Sequence, residues 1–158
     1  MYSRTAIVAF KNLMRYRFVD EILSLALDGA PRIEVAKRFG PGDDVFSGPQ
    51  GPERVPESML LELMATTGGH LVFRHLGEGR LPLLLKVPEC RFEGTASAGE
   101  RLRAVAVLSG VSSVGDATSV AETETRIYLE TRPIAHARIM FVCVNVPGID
   151  LAAQRGGV

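Results

Sequence analysis

FSGPQGPERVPESMLLELMATTGGHLVF, residues Phe46 to Phe73, decides how the rest of the chain is read. Its first part is punctuated by Gly48, Pro49, Gly51 and Pro52 and reads as a loop. Pro56 ends that loop where a fixed φ suits the first turn of a helix and the missing N–H costs nothing. From there Met, Leu and Ala run on for about four helical turns or more. Met59, Leu60, Leu61, Leu63, Met64, Ala65, Leu71, Val72 and Phe73 leave almost no side of that helix polar, which predicts a rod buried all round and wrapped by other elements. Glu62 sits in its middle. A carboxylate there is costly unless paired or facing a cavity, so Glu62 reads either as a hydrogen-bonded relic of a lost site or as a working acid or base.

Outward from this helix the pattern changes period. Phe18–Leu27, a turn at Asp28-Gly29 and Arg32–Phe39 read as a hairpin of two strands, and Gly40–Pro56 as an irregular connection. Ahead of them Ala6, Ile7, Phe10, Leu13 and Met14 fall at helical spacing, which predicts a short amphipathic opening helix over residues 1–16. On the far side Gly77–Arg80 breaks the helix, and Leu81–Phe92 is an apolar strand with Pro82 and Pro88 where a strand can start or bend. Gly94–Gly99 connects it to the alternating runs Arg101–Ser109 and Ala121–Thr131, and Ile134–Val146 is the most apolar strand. Within Ala121–Thr131, Glu122, Glu124 and Arg126 mark a solvated face. The tail from Pro147 reads as frayed. Two strands before one long helix and four after it, without alternation, predict an α+β fold: about six antiparallel strands curled around a central helix. Residues 1–158 are expected to form one domain with a core over 13–146.

Composition narrows the function classes. Eighteen basic residues balance eighteen acidic ones, so the chain lacks the basic field that nucleic acid or an anionic membrane selects. No apolar run is long enough to span a bilayer, and basic residues interrupt the amino-terminal apolar positions, so a cytoplasmic protein is expected. Cys90 and Cys143 lie in apolar segments without metal-ligand or redox spacing and read as core thiols. Met59 and Met64 read as core as well. No metal and no cofactor are expected.

The order of elements, Arg15-Tyr16, FVDEI over Phe18–Ile22, the Phe46-x-Gly48 pair, Pro56 six residues before Glu62, Gly69, and CRFEGTASAGERL over Cys90–Leu102 together resemble the β-hydroxyacyl-acyl-carrier-protein dehydratases. These are hot-dog-fold enzymes of fatty-acid synthesis, and the resemblance covers roughly residues 13–146. It implies a sheet wrapped around the helix, a dimer whose sheets join edge to edge, and a tunnel at the interface for a pantetheine-linked acyl chain. It also implies a catalytic pair shared between protomers, a His from the loop and a carboxylate from the helix. Removing water from a 3-hydroxyacyl thioester needs a base for the C2 proton and an acid for the leaving hydroxyl, with an N–H on the thioester oxygen. Glu62 matches the carboxylate. The family loop reads Gly-His-Phe-Pro-Gly, whereas this chain reads Gly48-Pro49-Gln50-Gly51-Pro52 and has no His from 41 to 69. Glu57 falls where the family has the Gly that offers the oxyanion N–H, and Thr66 where it commonly has Gln.

Glu62, Thr66 and His70 recur every four residues and so form one polar stripe spanning about 80° of the helix. His70 is about 12 Å along the axis from Glu62, too far for the two to address adjacent carbons, and it reads as a group at the helix exit, with His75 and His136 structural. Pro49, Glu57, Thr66 and His70 are the candidate substrate-binding positions and Glu62 the candidate catalytic one. Three functions fit. The first is a dehydratase-like subunit that lends Glu62 to a His-bearing paralogue in a heterodimer. The second is an acyl thioesterase that uses Glu62 without His. The third is a non-catalytic protein that binds acyl-pantetheine on acyl-carrier protein or CoA, as a homodimer or a heterodimer.

Overall fold

A computed structural model of the protein describes residues 18–43 and 54–145. They contain β1 (Glu21–Ala26), β2 (Arg32–Arg38), α1 (Glu57–His75), β3 (Leu81–Phe92), β4 (Arg101–Ser113), β5 (Thr118–Leu129) and β6 (Arg132–Val144). The strands make one sheet in the order β1-β2-β4-β5-β6-β3, every neighbouring pair antiparallel. This is the α+β arrangement expected from the sequence. The opening helix, Pro49 with the loop around it, and the tail from Pro147 lie outside the described residues.

Register explains where α1 rests. Directly opposed residues share a face, so the row Ile33, Ala106, Thr125, Ala137 and the row Val35, Ala104, Ile127, Ala135 both point to the concave side. All eight are buried. Five of the eight are Ala or Thr, so the helix backbone comes close. Gly68 is the point of closest approach: a Cβ there would meet Thr123 Oγ1 at 2.6 Å and the Phe141 ring at 3.3 Å. Only a glycine fits that contact without movement.

The ends of α1 are set locally. Pro56 is the N-cap, with φ −59° and ψ 144° and no side-chain capping bond. At the other end Gly77 adopts φ 71°, its N–H bonds Arg74 O at 3.1 Å, and the Glu78 N–H bonds Phe73 O at 2.9 Å. Those two bonds are the Schellman pattern, which the glycine after the last turn makes possible.

Three expectations are corrected. The helix is not buried all round. It buries Leu60, Leu63, Met64, Thr67, Gly68, Leu71 and Val72 against the sheet, while Glu57, Ser58, Glu62, Arg74 and His75 are exposed and Met59, Leu61, Ala65 and Phe73 half-buried. One sheet covers one face of a rod, and these residues of a single chain supply no second layer. β4 runs four residues past Ser109, because an irregularity in its pairing with β5 between Leu108 and Gly110 restores the register beyond it. β5 stops at Leu129, where Glu130 (φ 56°) and Thr131 make the turn into β6. Glu124 and Arg126 are exposed as expected of a solvated strand face, with Glu122 half-buried; Cys143 and Met64 are buried, while Cys90 and Met59 are half-buried beside the core.

Candidate functional site

The polar stripe on α1 is longer than the sequence reading made it. Glu62, Thr66, His70, Arg74 and Glu78 follow one another at four-residue steps, the last just past the helix end. Arg74 Nη1 and Glu78 Oε1 form an ion pair at 3.1 Å that closes the stripe. This ladder lies away from the sheet-packed face, along the side of α1 that turns toward β3.

Beside it opens a cleft of about 410 Å³. From the helix it is lined by Ala65, Thr66, Gly69, His70 and Phe73, with Arg74 and Glu78 at its end. Leu81, Pro82 and Leu84 of β3 and Phe141 of β6 form the opposite wall. Leu84 pairs with Phe141 across the two strands, which puts both on the concave side. The cleft is therefore an apolar slot with one polar line along it, the usual composition of a small-molecule site.

β3 is an edge strand, and it carries Leu83, Leu84 and Leu85 at 45, 54 and 50% exposure. Three leucines in a row on an unpaired edge are unusual in a chain that remains alone. Two register irregularities, between Leu84 and Lys86 and between Lys86 and Glu89, bend the strand around Pro88.

Among the predicted site residues, Thr66 and His70 both line the cleft. Glu62 does not, but stands exposed one turn ahead of Thr66 at its helix-start end. Glu57 is exposed in the first turn and lies close enough to Cys90 that, after burial, its charge is the second cause pushing that thiol's pKa up. Pro49 lies outside the described residues. Burial, reinforced by the neighbouring Arg74 guanidinium, holds the His70 pKa below its ordinary value. His70 is thus a neutral imidazole at neutral pH, offering one donor and one acceptor. It is half-buried in the wall of the cleft, five residues before the last residue of α1. His75 is exposed, and His136 lies on the outer sheet face between Arg126 and Arg91.

Sequence reasoning missed Arg74, Glu78, Leu84 and Phe141. The four-residue step past Phe73 was a signal for the first two. Leu84 and Phe141 gave none, because their meeting depends on β3 joining the sheet at β6. Among the described residues no group of three or more His, Cys, Asp or Glu could hold a metal, and no helix is long and apolar enough to cross a membrane.

No family model matches the chain and no curated protein is similar to it. Solved structures are. A protein of Ralstonia eutropha, provisionally described as a thioesterase and related to phenylacetic acid degradation, is 23% identical at a TM-score of 0.61, over 77% of this chain and 83% of its own. A Haemophilus influenzae thioesterase is 17% identical at a TM-score of 0.54, over 80% and 81%. A Streptococcus pneumoniae protein described as a hypothetical thioesterase, solved with coenzyme A, is 16% identical at 0.56, over 79% and 85%. The chain has the hot-dog fold. Identities this low establish the fold alone. They show the fold that the resemblance read from the sequence implied, and not the dehydratase family in particular.

Proposed function

We propose that this protein is an acyl thioesterase that hydrolyses pantetheine-linked acyl thioesters, with Glu62 as the general base. The observation that carries the reading is the position of Glu62: an exposed carboxylate at the head of a polar ladder that leads into an apolar cleft. Glu62 takes a proton from water as its oxygen attacks the thioester carbonyl. The N–H groups of the uncapped first turn, at Glu57 and Ser58, face the developing oxyanion, because the backbone hydrogen bonds of that turn begin with the Met59 and Leu60 N–H groups on Pro56 O. The tetrahedral intermediate collapses, the thiolate leaves, and the proton held by Glu62 passes to it. The acyl chain occupies the cleft. The exposed leucines of β3 support an edge-to-edge dimer with a second copy of the chain.

The test is release of free thiol from acyl-CoA and acyl-carrier-protein thioesters by the wild type and by Glu62→Gln. Hydrolysis that is unchanged in the variant would reject the mechanism.

A dehydratase subunit is the second reading, favoured by the spacing of Pro56, Glu62 and Gly69. Without a His from 41 to 69 it requires a His-bearing partner chain. Co-expression with such a partner, followed by assay on 3-hydroxyacyl thioesters, separates the two: water loss by the pair and no thiol release by this chain alone selects the subunit role. Acyl-pantetheine binding with neither reaction selects a non-catalytic role.

A further inference from the structure

The ladder on α1 is more polar than a hydrocarbon chain requires. Ala65, Phe73, Leu81, Pro82, Leu84 and Phe141 suit an alkyl chain, yet Thr66 and His70 face the same slot. Their neighbour Thr67 shows how a threonine in this helix is otherwise satisfied: its hydroxyl donates to Leu63 O at 2.7 Å. Among the described residues neither the Thr66 hydroxyl nor the His70 imidazole has a hydrogen-bond partner. An alkyl chain laid over them would strip their water and return nothing, an asymmetry worth roughly tenfold in affinity for each group.

We infer that the cleft selects an acyl chain carrying a neutral oxygen function, a ketone or hydroxyl along the chain, with His70 as the residue that recognises it. The inference rests on the acyl-thioester reading above. Burial keeps the imidazole neutral, so it both donates to a ketone and accepts from a hydroxyl. The oxygen is neutral rather than a carboxylate because the one cation beside His70 in the cleft, Arg74, is already paired with Glu78. Register fixes the place. Thr66 lies about 6 Å and His70 about 12 Å beyond Glu62 along the helix, which is roughly five and ten bonds of an extended chain past the reacting carbon. His70 is a specificity residue in this assignment, since it touches substrate far from the scissile bond.

The experiment uses the full chain and pantetheine thioethers, which bind without turnover. One carries an unsubstituted alkyl chain of about a dozen carbons, and its isomeric ketones carry the carbonyl at successive positions. Calorimetric titration should find one ketone, near the far end, binding about tenfold tighter than the alkyl probe. His70→Leu should erase that preference without weakening the alkyl probe, and His70→Gln, which keeps a donor and an acceptor, should retain most of it. The His70 imidazole resonances, assigned by their loss in the variant, should shift with that ketone and not with the alkyl probe. An alkyl probe that equals every ketone, or a preference that survives His70→Leu, overturns the inference and leaves the thioesterase reading standing. Failure of every probe to bind sinks both.

Discussion

The two faces of α1 are built to opposite rules. The sheet side is closed: Leu60, Leu63, Leu71 and Val72 are at 0 or 1% exposure, and Gly68 sits on Thr123 with no room for a methyl group. The open side carries Glu62, Thr66, His70 and Arg74 in a line, one residue per turn, beside a cleft rather than against a wall. A helix that packs on one face only can hold charged and titratable groups on the other at little cost to stability, because they stay in or near water. Function and packing are therefore separable along this one element, and substitutions on the two faces should move different measurements.

The largest separation is at Glu62. Glu62→Gln should lower the rate of thiol release by at least about a hundredfold. Its urea midpoint should stay within about 0.5 kcal/mol of the wild type, because the side chain is exposed. A stability loss of several kcal/mol there would instead make Glu62 a packing residue and collapse the distinction.

On the closed face the effect reverses. Gly68→Ala places a methyl 2.6 Å from Thr123 Oγ1, and overpacking of this kind should cost about 1 to 3 kcal/mol in denaturant unfolding, less whatever the helix gains in propensity. The buried Thr123 hydroxyl has no hydrogen-bond partner among the described residues, so Thr123→Ala gives up little on its own. In the double variant it should recover most of the loss. Failure of that rescue would show that the Phe141 ring, 3.3 Å away, sets the limit instead.

Gly77→Ala probes the end of the helix with neither face involved. The residue holds φ 71° with open space around it, so the cost should be backbone strain alone, about 1 kcal/mol. No loss would mean that the Schellman turn rearranges, and the cleft end at Arg74 and Glu78 should then change with it.

The smallest effect is a pH dependence on the open face. The His70 pKa lies below its ordinary 6.5 in the folded protein, so the unfolded chain binds the proton more readily between the two values. Stability from this group is intact above pH 6.5 and falls as the pH drops through 6.5 toward the folded value. His70→Gln should remove that component from a plot of unfolding free energy against pH, and an unchanged plot would place the imidazole in water.

Much of this was legible in the chain. Alternating and apolar runs flanked by turn residues gave all six strand regions within a few residues of their ends, Pro56 gave the helix start, and the four-residue recurrence of Glu62, Thr66 and His70 gave the head of the ladder. The helix's burial was misread because Met59, Leu61 and Phe73 are as apolar as Leu60 and Leu63. Sequence records that a side chain is apolar, not whether a second layer exists to cover it. The surroundings of His70 were not legible for a related reason: they come from β3 and β6, more than ten and seventy residues away.

By itself the sequence determined the local elements, the carboxylate in the middle of the helix and the absence of an imidazole from residues 41 to 69, because propensity, periodicity and residue identity are properties of short stretches. Only the tertiary structure decided which face of α1 is open. That depends on β3 crossing to the far side of the sheet and pairing with β6, which brings Leu84 and Phe141 opposite Thr66 and His70. The cleft is a product of strand order, and strand order is settled by the summed burial of the whole concave face rather than by any one segment.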